Sequence, residues 1–160
     1  MINANRENWH WYRFEEFSNI ELYALMQLRQ EVFVVEQRCP YLDADGLDAT
    51  ARHLVLWQNP NTRIPVTALA SLRLLQPGGH YGEASFGRVA VAHSHRGQGI
   101  GRLLIRYLLE ETSGDAGYAS IRISAQCYLQ AFYENFGFVA RSEVYEEDGI
   151  PHVEMLLNRG

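Results

Sequence analysis

Ala84-Ser85-Phe86-Gly87-Arg88-Val89-Ala90-Val91-Ala92-His93-Ser94-His95-Arg96-Gly97-Gln98-Gly99-Ile100-Gly101-Arg102-Leu103-Leu104 runs from a β-prone segment through a glycine-rich turn into an amphipathic helix. Leu103, Leu104, Tyr107 and Leu108 carry that helix to about Thr112. Glycines at 97, 99 and 101 let backbone amides turn inward, and the helix that follows aims its positive end at whatever lies there. From Arg88 to Arg106 there are four Arg and two His but no Asp or Glu, although the whole chain carries a net charge of −5. Glycines alone would only make a strand-to-helix turn. Combined with the flanking strand, the helix and the acid-free basic window, they predict an anion site suited to a pyrophosphate. The dinucleotide fingerprint fails, because Arg102 and Leu104 stand where its last glycine would fall.

Outward from this stretch, Trp9 to Phe14 reads as a strand, and Ser18 with Glu21 has capping-box spacing for a helix from about Asn19. Leu22, Leu25, Met26, Val32 and Phe33 recur along that helix at helical intervals, and Glu36 to Thr50 is a loop. His53 to Gln58 and Val66 to Leu74 predict a hairpin with a turn at Asn59-Pro60-Asn61, the second strand alternating on one face. A strand at Ala119 to Ala125, a short helix from Tyr128 to Phe136 that stops at Gly137, and strands at Phe138 to Tyr145 and His152 to Leu157 complete the chain. This order predicts a mixed sheet with helices on its faces, in one domain over residues 1–160.

All 14 basic residues are Arg, so the Walker lysine, lysine Schiff bases and lysine general bases are excluded. The acidic balance argues against nucleic acid as a partner. The first residues have no signal-like apolar stretch, and no run approaches a membrane span, so no membrane partner is expected. Cys39 and Cys127 show neither metal nor redox-pair spacing and read as reduced thiols in a cytoplasmic protein. His93 and His95 could form half of a metal site, but their place in a loop beside the glycine turn explains both residues and is the favoured reading. The Asp43, Asp45, Asp48 cluster lacks the pattern of a calcium loop and reads as turn formation. No metal is expected.

Arg96-Gly97-Gln98-Gly99-Ile100-Gly101 resembles the phosphate loop of the GCN5-related N-acetyltransferases (GNAT), and Phe132-Tyr133-Glu134-Asn135-Phe136-Gly137-Phe138 is similar to that family's second motif. Glu31 to Gln37, Cys39-Pro40-Tyr41 with Asp43, Asp45 and Gly46, and Glu143 to His152 resemble the ElaA-like subgroup. The resemblance covers most of the chain. It implies a single-domain α/β (α+β) acyl-CoA N-acyltransferase fold, with a twisted, mostly antiparallel sheet, transferring acetyl from acetyl-CoA to an amine. In that reading the amides from Arg96 through Gly97, Gln98, Gly99, Ile100 and Gly101 to Arg102 bind the pyrophosphate. Val89, Ala90 and Val91 pair with the pantetheine arm, and one of their amides polarises the thioester carbonyl.

Tyr133 matches the family's general acid, against the alternative of one more core aromatic among nine Tyr. Glu36 is the favoured base for the incoming amine, with His53 and His152 as alternatives. Cys127 lies next to the proposed site, where an acyl-cysteine and plain packing are the two readings. Glu143, Glu146, Glu147, Asp148 and Glu154, with Glu36, Asp43, Asp45 and Asp48, predict a cationic acceptor, a small molecule or a peptide; a solvated acidic surface is the competing reading. The resemblance supports this, because the family's first helix-loop and last hairpin border its acceptor groove. A noncatalytic module binding a coenzyme A derivative is the alternative function. The oligomeric state, a homodimer included, is left open.

Overall fold

The computed structural model describes residues 6–58 and 66–159; the expected turn at 59–61 and the first five residues lie outside that range. Among the described residues one sheet contains β1 (Trp9–Arg13), β2 (Arg52–Trp57), β3 (Ala68–Leu75), β4 (Ala84–Val91), β5 (Ser120–Gln126), β6 (Val139–Ala140), β7 (Tyr145–Glu147) and β8 (Ile150–Asn158). Its order is β1-β2-β3-β4-β5-β8-β6, with β7 pairing the other half of β8. Every pairing is antiparallel except β4 with β5. The connection between those two is helix α2 (Ile100–Glu111), because parallel neighbours need a crossover. The mixed, mostly antiparallel sheet flanked by helices is therefore the fold observed.

Helix α1 (Asn19–Arg29) begins with the expected capping box: the Glu21 amide donates to Ser18 Oγ, and the Ser18 amide donates to Glu21 Oε2. Its buried face is Ala24, Leu25 and Leu28, packed with Val32 on Val55, Trp57, Ala68 and Ala90. Leu22 and Met26 are only partly buried. After Arg29 the helix continues as π-helical turns over Gln30–Glu36. On the opposite face of the sheet α2 buries Ile100, Leu104, Ile105 and Leu108 against Leu72, Leu74, Phe86, Ile121 and Ile123, with α3 (Gln130–Glu134) alongside.

Two expectations are corrected. Strand β3 does not alternate between core and solvent: all eight of its residues are buried, because α1 covers one face and α2 the other. Arg73, between Leu72 and Leu74, is accordingly 4% exposed. Nor is Phe138 to Tyr145 one strand. It breaks between β6 and β7 because the Glu154 amide of β8 donates to Ser142 Oγ, a side chain taking the place of a ladder carbonyl.

Candidate functional site

Strands β4 and β5 share only the pairs Ala84↔Ile121 and Ser85↔Arg122. Beyond Ser85 the two run on unpaired, so the sheet opens into a wedge bordered by Phe86–Val91. On its other side β4 stays bonded to β3, but with an irregularity: Gly87 lies opposite Arg73 and Ala90 opposite Ser71, so two β4 residues face one β3 residue. Arg88, in that bulge, has φ +51. The wedge leads to the glycine turn. Gly97 and Gly99 have φ of +74 and +80, a region that disfavours a Cβ. The first helical bond of α2 runs from the Leu103 amide to the Gly99 carbonyl, leaving the amides ahead of it without helical acceptors. Arg102 stands in the first turn, where a cation opposes the helix dipole unless an anion is bound.

The structure places Gly97, Gln98, Gly99, Ile100, Gly101 and Arg102 in this cradle, and Val89, Ala90 and Val91 on the strand leading to it. Two details differ from expectation. The Arg96 amide already donates to the His93 carbonyl, so the free run of amides starts at Gly97. The Val91 carbonyl accepts from Arg96 Nε at 3.0 Å.

The basic window is also less positive than its sequence suggests. Arg96 forms a two-pronged pair with Glu36, Arg88 pairs with Asp43 and Asp45, and Arg106 lies 4.0 Å from Glu110. The positive character that is left resides in the backbone amides and Arg102. The same contacts correct the reading of the first loop. Arg29, 1% exposed, donates to Asp43 at 2.8 Å and Asp48 at 2.6 Å; Arg73 grips Asp45 through two 2.7 Å bonds and reaches Asp48 at 3.2 Å. Burial alone would raise the Asp45 and Asp48 carboxyls, but these guanidinium bonds outweigh it and hold both below the usual carboxylate range. These aspartates are structural ion-pair partners, not a free acidic surface.

Tyr133 is 5% exposed in the core, its ring 5.9 Å from Phe86, the first β4 residue past the paired segment, and 6.0 Å from Phe138. Burial pushes its phenol above the ordinary value, so it holds its proton. Glu36, favoured as a base, is a poor one: the Arg96 bond keeps its carboxyl below the usual range. His53 is buried, its Nε2 3.1 Å from the Asp48 carbonyl and its ring against Phe14 and Phe17, and burial lowers its pKa. His152 differs. Its Nδ1 lies 2.7 Å from the Ile150 carbonyl and must donate there, which leaves Nε2 as the proton acceptor of the neutral ring. Cys127 is half-buried and packs against the main core, and Cys39 Sγ contacts the Asp148 carbonyl.

Sequence reading missed a polar trough on the α1 face of β5 and β8, which α1 does not reach because it packs on β3 and β4. Arg122, Ser124 and Gln126 alternate outward along β5, with Glu154 opposite Ser124 and His152 opposite Gln126. Arg122 bonds Glu83 and Glu154, while Ser124 Oγ meets Tyr145 Oη at 2.6 Å and donates to Glu147 at 2.8 Å. Strict alternation in Ser120–Gln126 was the available signal, but it showed its partner strand only once β8 was placed.

The sequence profile of the acetyltransferase (GNAT) domain family matches residues 73–159. The chain is 40% identical to the UPF0039 protein of Synechocystis sp., over 94% of each. It is 41% identical to the protein ElaA of Escherichia coli over 92% of this chain and 94% of ElaA, whose crystal structure superposes with a TM-score of 0.81. A crystal structure of an acyl-CoA N-acyltransferase from Pseudomonas aeruginosa is 43% identical and covers 92% of this chain and 97% of its own, with a TM-score of 0.83. The glycine turn ahead of α2, the wedge and these likenesses over nearly the whole chain converge: the protein belongs to the GNAT acetyltransferase family, in its ElaA-like subgroup, and is an acyltransferase.

Proposed function

We propose that this protein transfers an acetyl group from acetyl-coenzyme A to a primary amine of a cationic acceptor by direct attack, as one catalytic domain across residues 1–160. The observation that carries this reading is the unpaired β4 edge opening onto the free amides of Gly97–Arg102. Those amides and Arg102 take the pyrophosphate. The edge at Val89, Ala90 and Val91 takes the extended pantetheine arm as an added strand, and one of its amides stabilises charge growing on the thioester oxygen.

Tyr133 supplies a proton to the departing thiolate, a role supported by its place beside Phe86, where β4 parts from β5. His152, rather than Glu36, takes the proton from the amine through Nε2. The acceptor lies in the trough, where Glu83, Glu147 and Glu154 outnumber Arg122. Asp43, Asp45, Asp48 and Glu36 no longer support a cationic acceptor; these three glutamates do. Cys39 and Cys127 are both free, which suits a reducing compartment, and we place the protein in the cytoplasm.

The test is release of free thiol from acetyl-coenzyme A in the presence of a panel of amines: polyamines, amino sugars, basic peptides and neutral or anionic controls. Thiol release with the cationic members supports the reading. Release only with anionic amines refutes the acceptor class, and coenzyme binding without release from any amine leaves a binding module.

A further inference from the structure

We propose that Arg88, held by Asp43 and Asp45, is a positioning residue that keeps β4 bulged away from β5 and so shapes the edge on which the pantetheine arm lies. This rests on the coenzyme reading above. The extra β4 residue between Gly87 and Ala90 falls just past the point where pairing with β5 stops. A residue at φ +51 there is conformationally costly for anything but glycine. The preceding Gly87 does not adopt a positive φ, and an arginine does.

What compensates is its head group. Arg88 Nε lies 2.7 Å from Asp43 Oδ1, Nη2 donates to the Asp43 carbonyl at 3.1 Å and to Asp45 Oδ2 at 3.2 Å, and the guanidinium sits 5.6 Å from the centre of the Tyr41 ring. Asp43 and Asp45 are themselves fixed from the other side by Arg29 and Arg73, the latter on β3. The loop therefore ties the bulge to the adjacent strand and to α1. A one-residue slip of β4 would exchange its two faces and realign the amides of Val89 to Val91. The clamp selects one register, and the cost of ordering the edge is met before the ligand arrives.

The prediction separates the two halves of the coenzyme. 3′-Phosphoadenosine 5′-diphosphate is coenzyme A without its pantetheine arm and engages only the glycine turn. Titration calorimetry of wild type, Arg88→Gly and Asp45→Asn against both ligands reads the arm's contribution as the ratio of the two affinities. Arg88→Gly keeps the bulge conformation accessible but removes the clamp, and Asp45→Asn weakens it from the loop side. Coenzyme A should bind Arg88→Gly about tenfold more weakly, as expected for one or two backbone hydrogen bonds, with affinity for the nucleotide unchanged. Asp45→Asn should shift the ratio the same way by less, and it carries the test should Arg88→Gly not fold. Equal weakening of both ligands, which leaves the ratio unchanged, would make Arg88 merely structural, and unchanged affinity for both would remove it from the site; either overturns the proposal. Failure of wild type to bind either ligand would instead refute the coenzyme reading, and this inference with it.

Discussion

Replacing Gly99 with alanine probes the phosphate cradle without disturbing its packing. Gly99 has φ +80, and a Cβ built on it meets nothing within 4 Å, so the folded protein loses only a backbone preference. For an L-residue in the left-handed region that is about 1–2 kcal/mol, which for a chain of this size lowers Tm by roughly 2–8 °C. Coenzyme A at 100 times its Kd stabilises the wild type by about 2.7 kcal/mol, an upward shift of roughly 5–11 °C on the same scale. On the proposed coenzyme reading the amides of residues 97–102 close on a diphosphate, and the new methyl stands in the way of that approach. The Gly99→Ala protein should therefore melt slightly lower without ligand and show no shift at that coenzyme concentration. Thermal denaturation with and without coenzyme A, followed by near-UV circular dichroism, measures both effects. A variant with the lowered Tm that still gains the full shift would place the diphosphate elsewhere.

Tyr133→Phe keeps the ring against Phe86 and Phe138 and loses no hydrogen bond within the described residues; its stability and coenzyme affinity should match wild type while turnover falls on the order of 10², and an unchanged rate in stopped assays would return Tyr133 to a packing role. Asp45 and Asp48 titrate below ordinary carboxylates in the folded chain, so each adds stability that is complete above the unfolded value, about pH 4, and is lost as pH falls through the folded one. Asp45→Asn should thus lower the urea midpoint at neutral pH and flatten its decline in acid, and an unaltered slope would exclude Asp45 from that linkage. Glu147→Gln with Glu154→Gln should raise the KM of a cationic acceptor and weaken its dependence on salt, leaving the Kd of coenzyme A unchanged; a KM indifferent to both refutes the trough as the acceptor site.

Much of the architecture was legible locally, because local chemistry sets it. Ser18 and Glu21 sit three residues apart and cap α1 as their spacing requires, and the glycines from 97 to 101 form the strand-to-helix turn that their small size permits. Asp148-Gly149, both at positive φ, close the last hairpin as a turn of that composition does. The break between β6 and β7 was not legible, since it depends on Ser142 meeting an amide of β8.

Charge was the property the chain could not disclose in one dimension. A window without acids looked strongly basic, yet Glu36, Asp43 and Asp45 reach into it from the first loop and neutralise Arg96 and Arg88. The first loop looked acidic and is balanced by Arg29, Arg73 and Arg88. Burial forces such pairing, because an unpaired charge away from water costs more than folding can offset, and the partner may come from any strand that packs nearby. The amides of the glycine turn could be read from the sequence because that turn is local; the excess of Glu83, Glu147 and Glu154 over Arg122 emerged only when the sheet brought its distant strands together.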